Sequence, residues 1–327
     1  MTFPWDRAQV AAAFDRIAPD YDAAYLGMGD QGGNAAMRWM RQESLALLRA
    51  TFPPGSRLLE IGCGTGDEAV ALAREGRTVL ATDISPGMVD QTRAKAVAAG
   101  VEGRVGAVAI AAAHLASLAI DAPFDGAYAS FGALNCEPDL HAVGQALDRL
   151  VRPGGKVVLS VMGRTCLFEI AWYLAHGRLG RAFRRLRGGW HAAPVAGRDG
   201  VQVSVPTRYL AVGQLRRAMP SFYVERMMAL PLLLPPPYAA SLYRWWPRLH
   251  RALQPIERCL RGWPLWRRLG DHTVLILGHR QAQGDAARSG RACLPPSTLG
   301  PSRDHGEPAT GRVSCQSCDV SEPHSPL

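Results

Sequence analysis

No apolar run in this chain approaches the ~18 residues needed to cross a bilayer. The longest candidate, Met227 to Leu234, halts at Pro235-Pro236-Pro237. The amino terminus, Met1-Thr2-Phe3-Pro4-Trp5-Asp6, lacks the charged start and apolar core of a secretory signal. These absences predict a soluble, cytoplasmic protein. Cysteine is scarce as well. Seven in 327 residues, odd in number and scattered, do not make a disulfide framework. Cys315 and Cys318 form a lone CxxC without the further ligands that a four-coordinate zinc site requires, so no metal is expected.

Acid is thin in two stretches. The formal charge is +9; six arginines between Arg164 and Arg187 face only Glu169, and seven between Arg244 and Arg268 face only Glu257. Such clusters attract phosphates or an anionic surface, and they also occur as plain solvated faces.

What is present is a 47% hydrophobic content, enough for a real core. Ala8 to Ala24 reads as a helix bent at Pro19, and Asn34 to Ala50 as a second helix. Short apolar runs then alternate with helices. Strands are expected at Arg57–Ile61, Thr78–Thr82, Val105–Ala111, Asp125–Phe131 and Lys156–Met162, and helices at Asp67–Arg74, Ser85–Ala99 and Leu140–Val151. After Met162 the rhythm breaks into an arginine-rich stretch, 163–200, of helical tendency. It returns with a helix at Val212–Met219 and a strand at Phe222–Met228, breaks again over 230–270, and closes with a strand at His272–Gly278. The pattern predicts an α/β fold, Rossmann-like and doubly wound, with a mostly parallel seven-stranded sheet and helical insertions. The expected divisions are an N-terminal helical lid (1–56), a ligand-binding core (57–162), the rest of the core with two lid insertions (163–280), and a disordered tail (281–327) too poor in apolar spacing to fold.

The most informative segment is Leu58-Leu59-Glu60-Ile61-Gly62-Cys63-Gly64-Thr65-Gly66. A strand ends, glycines follow at every second position, and a helix begins. Glycine is needed where a backbone turns sharply and admits a ligand closely. A dinucleotide fingerprint would read G-x-G-x-x-G; here the third glycine comes one residue early, and Asp67 at the helix mouth would repel a pyrophosphate. The loop therefore favours a nucleoside without phosphates. Asp83, at the end of the second strand, is placed to accept hydrogen bonds from both ribose hydroxyls.

These segments resemble class I S-adenosylmethionine-dependent methyltransferases of the small-molecule group that includes ubiquinone and menaquinone C-methyltransferases. Phe14-Asp15-Arg16-Ile17-Ala18-Pro19-Asp20-Tyr21-Asp22 is similar to that group's lid, and Asp83-Ile84-Ser85-Pro86-Gly87-Met88 to its second-strand motif. Phe124-Asp125-Gly126-Ala127-Tyr128 is similar to its fourth strand, and Leu150-Val151-Arg152-Pro153-Gly154-Gly155 to the turn before its fifth. The resemblance covers roughly residues 10–162. It implies S-adenosyl-L-methionine as cofactor, with Gly62, Cys63 and Gly64 against the methionine part and Glu60 orienting the loop or reaching the amino group through water. It further implies Asp83 on the ribose, Ile84 and Met88 on the adenine, and Tyr21 over the sulfonium. Many relatives carry an Asp where Ala111 stands; the backbone of Ala112 or His114 would then read the adenine.

Ser130-Phe131-Gly132-Ala133-Leu134-Asn135-Cys136 should line the gap between cofactor and acceptor, with Ser130 on the cofactor side. Tyr25, Phe131 and Asn135 are the substrate-facing candidates. His114, His141, His176 and His191 are unranked candidate bases, and Cys136 has no partner that would make it a nucleophile. Trp190, Trp245, Trp246, Trp263 and Trp266 with nearby arginines suit an apolar, anionic acceptor or contact with an anionic membrane face. The expected function is methylation of a small, partly apolar acceptor. An RNA-directed methyltransferase is disfavoured, because Phe131-Gly132-Ala133-Leu134 stands where amino-methylating relatives carry Asp/Asn-Pro-Pro-Tyr/Phe. A non-catalytic S-adenosylmethionine-binding protein is the third reading.

Overall fold

The computed structural model describes residues 6–26, 34–196, 202–239, 242 and 247–281. The alternation of short apolar runs and helices becomes a seven-stranded sheet. Its strands are β1 (Arg57–Ile61), β2 (Thr78–Asp83), β3 (Val105–Ala109), β4 (Phe124–Ala129), β5 (Val151–Met162), β8 (Phe222–Leu230) and β9 (His272–His279). The order is β3-β2-β1-β4-β5-β9-β8. The first five are parallel; β9 runs antiparallel to both β5 and β8. Strand order reverses between β1 and β4, and the crevice at that switch is where such sheets hold ligands.

Side-chain alternation sends successive residues to opposite faces, so both faces of the buried strands are apolar. Leu59, Ile61, Ala127, Leu159 and Leu275 join α6 (Leu140–Leu150) and α9 (Val212–Ala218) on one side. Leu58, Tyr128, Val158, Val274 and Ile276 join α3 (Ala35–Thr51), α4 (Asp67–Arg74) and α5 (Pro86–Ala98) on the other. Caps fix where these helices begin. Asn34 accepts the Met37 N–H, Ser85 that of Met88, and Asp139 that of Ala142.

The N-terminal segment forms α1 (Arg7–Ile17), a 3-10 turn (Ala18–Asp20) containing Pro19, and α2 (Tyr21–Leu26). Two expected strands end early. β3 stops at Ala109 because a 3-10 turn follows at Ala112–Ser117; β4 stops at Ala129 because Phe131 has a φ of 49°, which extended backbone does not allow.

The stretch 163–200 departs most from its expected helical character. Among its described residues, only α7 (Leu167–Ala175), α8 (Leu179–Ala182) and a 3-10 turn (Arg184–Arg187) are helical. Gly188 and Gly189, both at positive φ, end the helical run. β6 (Trp190–Ala196) and β7 (Gln202–Arg208) then pair as a separate antiparallel ribbon. Val203 of that ribbon packs on Ile17, Ala18 and Met88, so the ribbon and the N-terminal segment form one cover. Further on, α10 (Pro247–Leu260) leads through turns back to β9. No described helix is long and apolar enough to cross a membrane.

Candidate cofactor and acceptor site

The glycine turn lies at the carboxyl end of β1. Gly62, Gly64 and Gly66 all have positive φ (71°, 54° and 81°), so three residues in five need backbone that L side chains avoid. Each does something different. A Cβ on Gly62 would sit 2.3 Å from that of Ala133, so this glycine lets the β1 and β4 loops touch at the switch point. A Cβ on Gly66 would strike Thr92 of α5. A Cβ on Gly64 would meet nothing within 4 Å; this is the position that faces open space.

Asp83 closes the other side. Its Oδ2 accepts the Gly64 N–H at 2.9 Å and its Oδ1 that of Ser85 at 3.0 Å. Each oxygen keeps a second lone pair. Burial pushes this carboxyl up to about 6, against the pull of the Ser85, Gly64 and Ile84 amides. Gly62 and Cys63 N–H groups both donate to Thr82 O, which pins β1's end to β2's. Cys63 turns its thiol into the core, 3.4 Å from Thr92 Oγ1, so only its backbone faces the turn.

Beneath the turn lies Glu60, 1% exposed. Burial, with the neighbouring Glu68 and Asp83 carboxylates, pushes it well above the usual carboxylate range. The Tyr128 hydroxyl of β4 hydrogen-bonds to it. A carboxyl has more acceptor capacity than one hydroxyl fills, so a further donor or cation at the turn would be favoured.

The lid is fastened to this site by two acids. Asp15 Oδ1 accepts from Ser85 Oγ at 2.5 Å and from Gly87 N–H at 2.8 Å, gripping the start of α5. Asp22 accepts from Thr65 Oγ1 at 2.6 Å and pairs with Lys95, which also pairs with Asp67. Arg41 of α3 pairs with Asp67 and Glu68, and its guanidinium lies 5.7 Å from the centre of the Phe131 ring. The two acids at the mouth of α4 are thus neutralised from within. Tyr21 packs with Ile17, Ala18 and Met88 in the same cover.

Several other expected residues line the same crevice. Met88 is buried under the lid and Ile84 is half-buried beside Asp83. Ala112 is half-buried at the end of β3, while His114 points to solvent. Ser130 and Phe131 are half-buried where β4 ends. Asn135 departs from its expected acceptor-facing role. Fully buried, it donates to Met162 O and Arg208 O and accepts the Met162 N–H, so it stitches the β4 loop to β5 and β7. The side chain of Tyr25, and Trp245 and Trp246, lie outside the described residues.

His141 and His176 are exposed, and His176 Nδ1 meets Trp172 O one turn back. His191 lies in the ribbon beside Tyr209. Burial pushes the Cys136 thiol up to about 11, which leaves it an inert thiol. Trp190 lies under Arg208 in the ribbon; Trp263 is exposed and Trp266 half-buried. Cys166, Glu169 and Asp271 bring three ligand-type atoms within 4.8 Å, but Arg185 fills the space with bonds to Glu169 and Asp271. A surface depression of about 350 Å³, lined by residues including Leu47, Thr51, Lys156 and Glu225, lies at the opposite ends of the strands and takes no part in the site.

Comparison with known proteins decides the class. A family described as a methyltransferase domain matches residues 58–155, from β1 to the turn in β5. The domain's cofactor class is S-adenosylmethionine. Among curated relatives, the chain is 30% identical over 168 residues to a ubiquinone biosynthesis O-methyltransferase of Xylella fastidiosa, covering 48% of this chain and 66% of that protein. It is 31% identical over 175 residues to a malonyl-[acyl-carrier protein] O-methyltransferase of Serratia marcescens, covering 53% and 60%. The chain thus spans less than two thirds of the length of these relatives. The chain is similar in fold to the CcbJ methyltransferase from Streptomyces caelestis, with a TM-score of 0.53 at 16% identity, over 84% of this chain and all of that one.

Proposed function

We propose that the chain is an S-adenosylmethionine-dependent methyltransferase acting on a small, partly apolar acceptor. The observation that carries this reading is the trio around the glycine turn: an open position at Gly64, a strand-end carboxylate at Asp83, and a buried carboxyl at Glu60. These fit a nucleoside with a cationic amino acid attached. Asp83 would accept from the ribose hydroxyls, and the Gly62, Cys63 and Gly64 backbone would flank the methionine part. Glu60 would meet its ammonium, directly or through water. Ile84 and Met88 would bound the adenine, and the Ala112 N–H would donate to an adenine ring nitrogen in place of the side-chain contact that Ala111 cannot make. Tyr21 would cover the sulfonium side, where an aromatic face favours a cation. Ser130 and Phe131 would separate cofactor from acceptor.

Bound S-adenosylmethionine supplies an electrophilic methyl on a good leaving group. The protein's share is then alignment and exclusion of water. The lid contacts of Asp15 and Asp22 serve both, since they close the chain over the site. Calorimetry with S-adenosylmethionine and S-adenosylhomocysteine tests the reading: absence of binding by either would sink it. Appearance of S-adenosylhomocysteine with an acceptor pool would separate an enzyme from a non-catalytic binder.

The arginine-rich inserts favour an anionic contact. Leu179, Phe183 and Leu186 are exposed among Arg178, Arg181 and Arg187, and Leu249, Ile256, Trp263 and Leu265 among Arg248, Arg251 and Arg268. Apolar side chains interleaved with arginine suit a peripheral stance on an anionic membrane from the cytoplasmic side. Flotation with vesicles of phosphatidylglycerol but not phosphatidylcholine is the expected result; RNA binding with a steep salt slope would favour a nucleic-acid acceptor instead.

A further inference from the structure

One buried side chain near the site is left without its hydrogen bonds. His272 opens β9 in register with Met162 of β5 and Leu230 of β8, which places it at the carboxyl end of β5. It is 6% exposed, and its Nε2 has no hydrogen-bond partner among the described residues. Its Nδ1 lies 3.0 Å from Asp271 Oδ2. Asp271 is itself fixed: its Oδ1 accepts from Arg185 Nη2 at 2.5 Å, and Arg185 Nε donates to Glu169 at 2.6 Å. Burial pushes the Asp271 carboxyl up, but Arg185 and His272 outweigh it and hold it well below the usual range. A fixed anion therefore stands behind the ring.

The other side of the ring faces the site. His272 meets the Phe131 ring edge-on, 6.4 Å between centres, and Phe131 is the strained residue that ends β4 beside the glycine turn. Strain of this kind gathers where a side chain must be held in one direction for function. By strand alternation His272 shares its sheet face with Val274, Ser160 and Tyr128. The Ser160 Oγ also lacks a partner among the described residues, whereas the Tyr128 hydroxyl hydrogen-bonds to Glu60. A buried imidazole and a buried hydroxyl left unpaired on one face, towards the ends of the adjacent strands β9 and β5, mark a place that a polar ligand completes.

We infer that the strand-end corner between His272 and Phe131 is where the acceptor sits and that His272 takes the proton of an acidic acceptor hydroxyl as the methyl arrives. The inference rests on the methyltransferase reading and narrows it to O-methylation. The O–H proton passes to His272 Nε2 while an oxygen lone pair makes the new O–CH3 bond. The S–CH3 bonding pair stays on sulfur, which leaves as a neutral thioether. The imidazolium so formed faces the Asp271 carboxylate, and Asp271 acts as the positioning residue.

The test uses the full chain saturated with S-adenosylhomocysteine and titrated with 4-nitrophenol, whose visible band moves to longer wavelength when the hydroxyl ionises. At a pH where the free phenol is protonated, the wild-type complex should show the shifted band. His272→Asn should lose the shift while keeping its affinity for S-adenosylhomocysteine. Normal S-adenosylhomocysteine binding without a shifted band in the wild type, or a shift that survives in His272→Asn, would overturn the assignment. Failure of the wild type to bind S-adenosylhomocysteine would instead strike the cofactor reading. The wild-type spectrum is decisive even if the variant does not fold.

Discussion

The Asp83 carboxylate accepts the Gly64 backbone N–H at 2.9 Å, so the acid ending the second strand holds the middle of the turn that ends the first. With Ser85 on its other oxygen, one side chain organises both halves of the proposed nucleoside cradle.

Replacing that acid separates shape from charge. Asp83→Ala should weaken S-adenosylhomocysteine binding by about 1.5–3 kcal/mol, the worth of a charged acceptor. Calorimetry on the folded variant measures it, and unchanged affinity would refute the ribose assignment.

Proton linkage offers a second check. Burial raises the Asp83 carboxyl to about 6 in the fold, against roughly 4 in an unfolded chain. The native state therefore binds the extra proton between these values, and the stability of the free protein should fall as pH rises from about 4 to 6. Ribose hydroxyls prefer the ionised acid, so cofactor affinity should rise across the same window and flatten above it. Melting curves with and without S-adenosylhomocysteine should diverge as pH increases; a constant gap would count against the linkage.

The glycines should part company under substitution. Gly62→Ala places a Cβ 2.3 Å from that of Ala133 and should lower the melting temperature clearly. Gly64→Ala meets only open space; its cost is the positive φ, on the order of 1 kcal/mol. It should fold and yet lose at least about tenfold in cofactor affinity, because the methyl occupies the cradle. If both variants bind normally, the turn is not the binding surface.

The composition of residues 285–327 leads to one more expectation: deleting them should leave the melting temperature of the remaining chain unchanged. A large drop would show that the segment contributes to the packed structure.

Much of the fold was legible because it is written locally. β1 and α4 begin and end at their expected residues, since Pro-Gly and glycine punctuation sits beside clean apolar runs. The glycine turn and Asp83 were legible for the same reason. The ribbon at 190–208 was not, because its strands are short and its Gly188-Gly189 break follows a helical run. Asn135 looked like an acceptor contact, but its partners Met162 and Arg208 lie 27 and 73 residues away. His272, Asp271 and Arg185 escaped for a like reason: the Asp271–Arg185 pair spans 86 residues, and no local spacing announces it.

The place of β9 bears on how the chain is made. It is nearly the last element described, yet it lies inside the sheet, between β5 and β8. While a ribosome is still synthesising the chain, β5 keeps a naked row of N–H and C=O groups until residue 279 has emerged. Such an edge invites pairing with a neighbouring nascent chain. A transcript truncated between Met162 and His272 would deliver a product whose five parallel strands are complete and whose β5 edge is sticky, a natural client for chaperones.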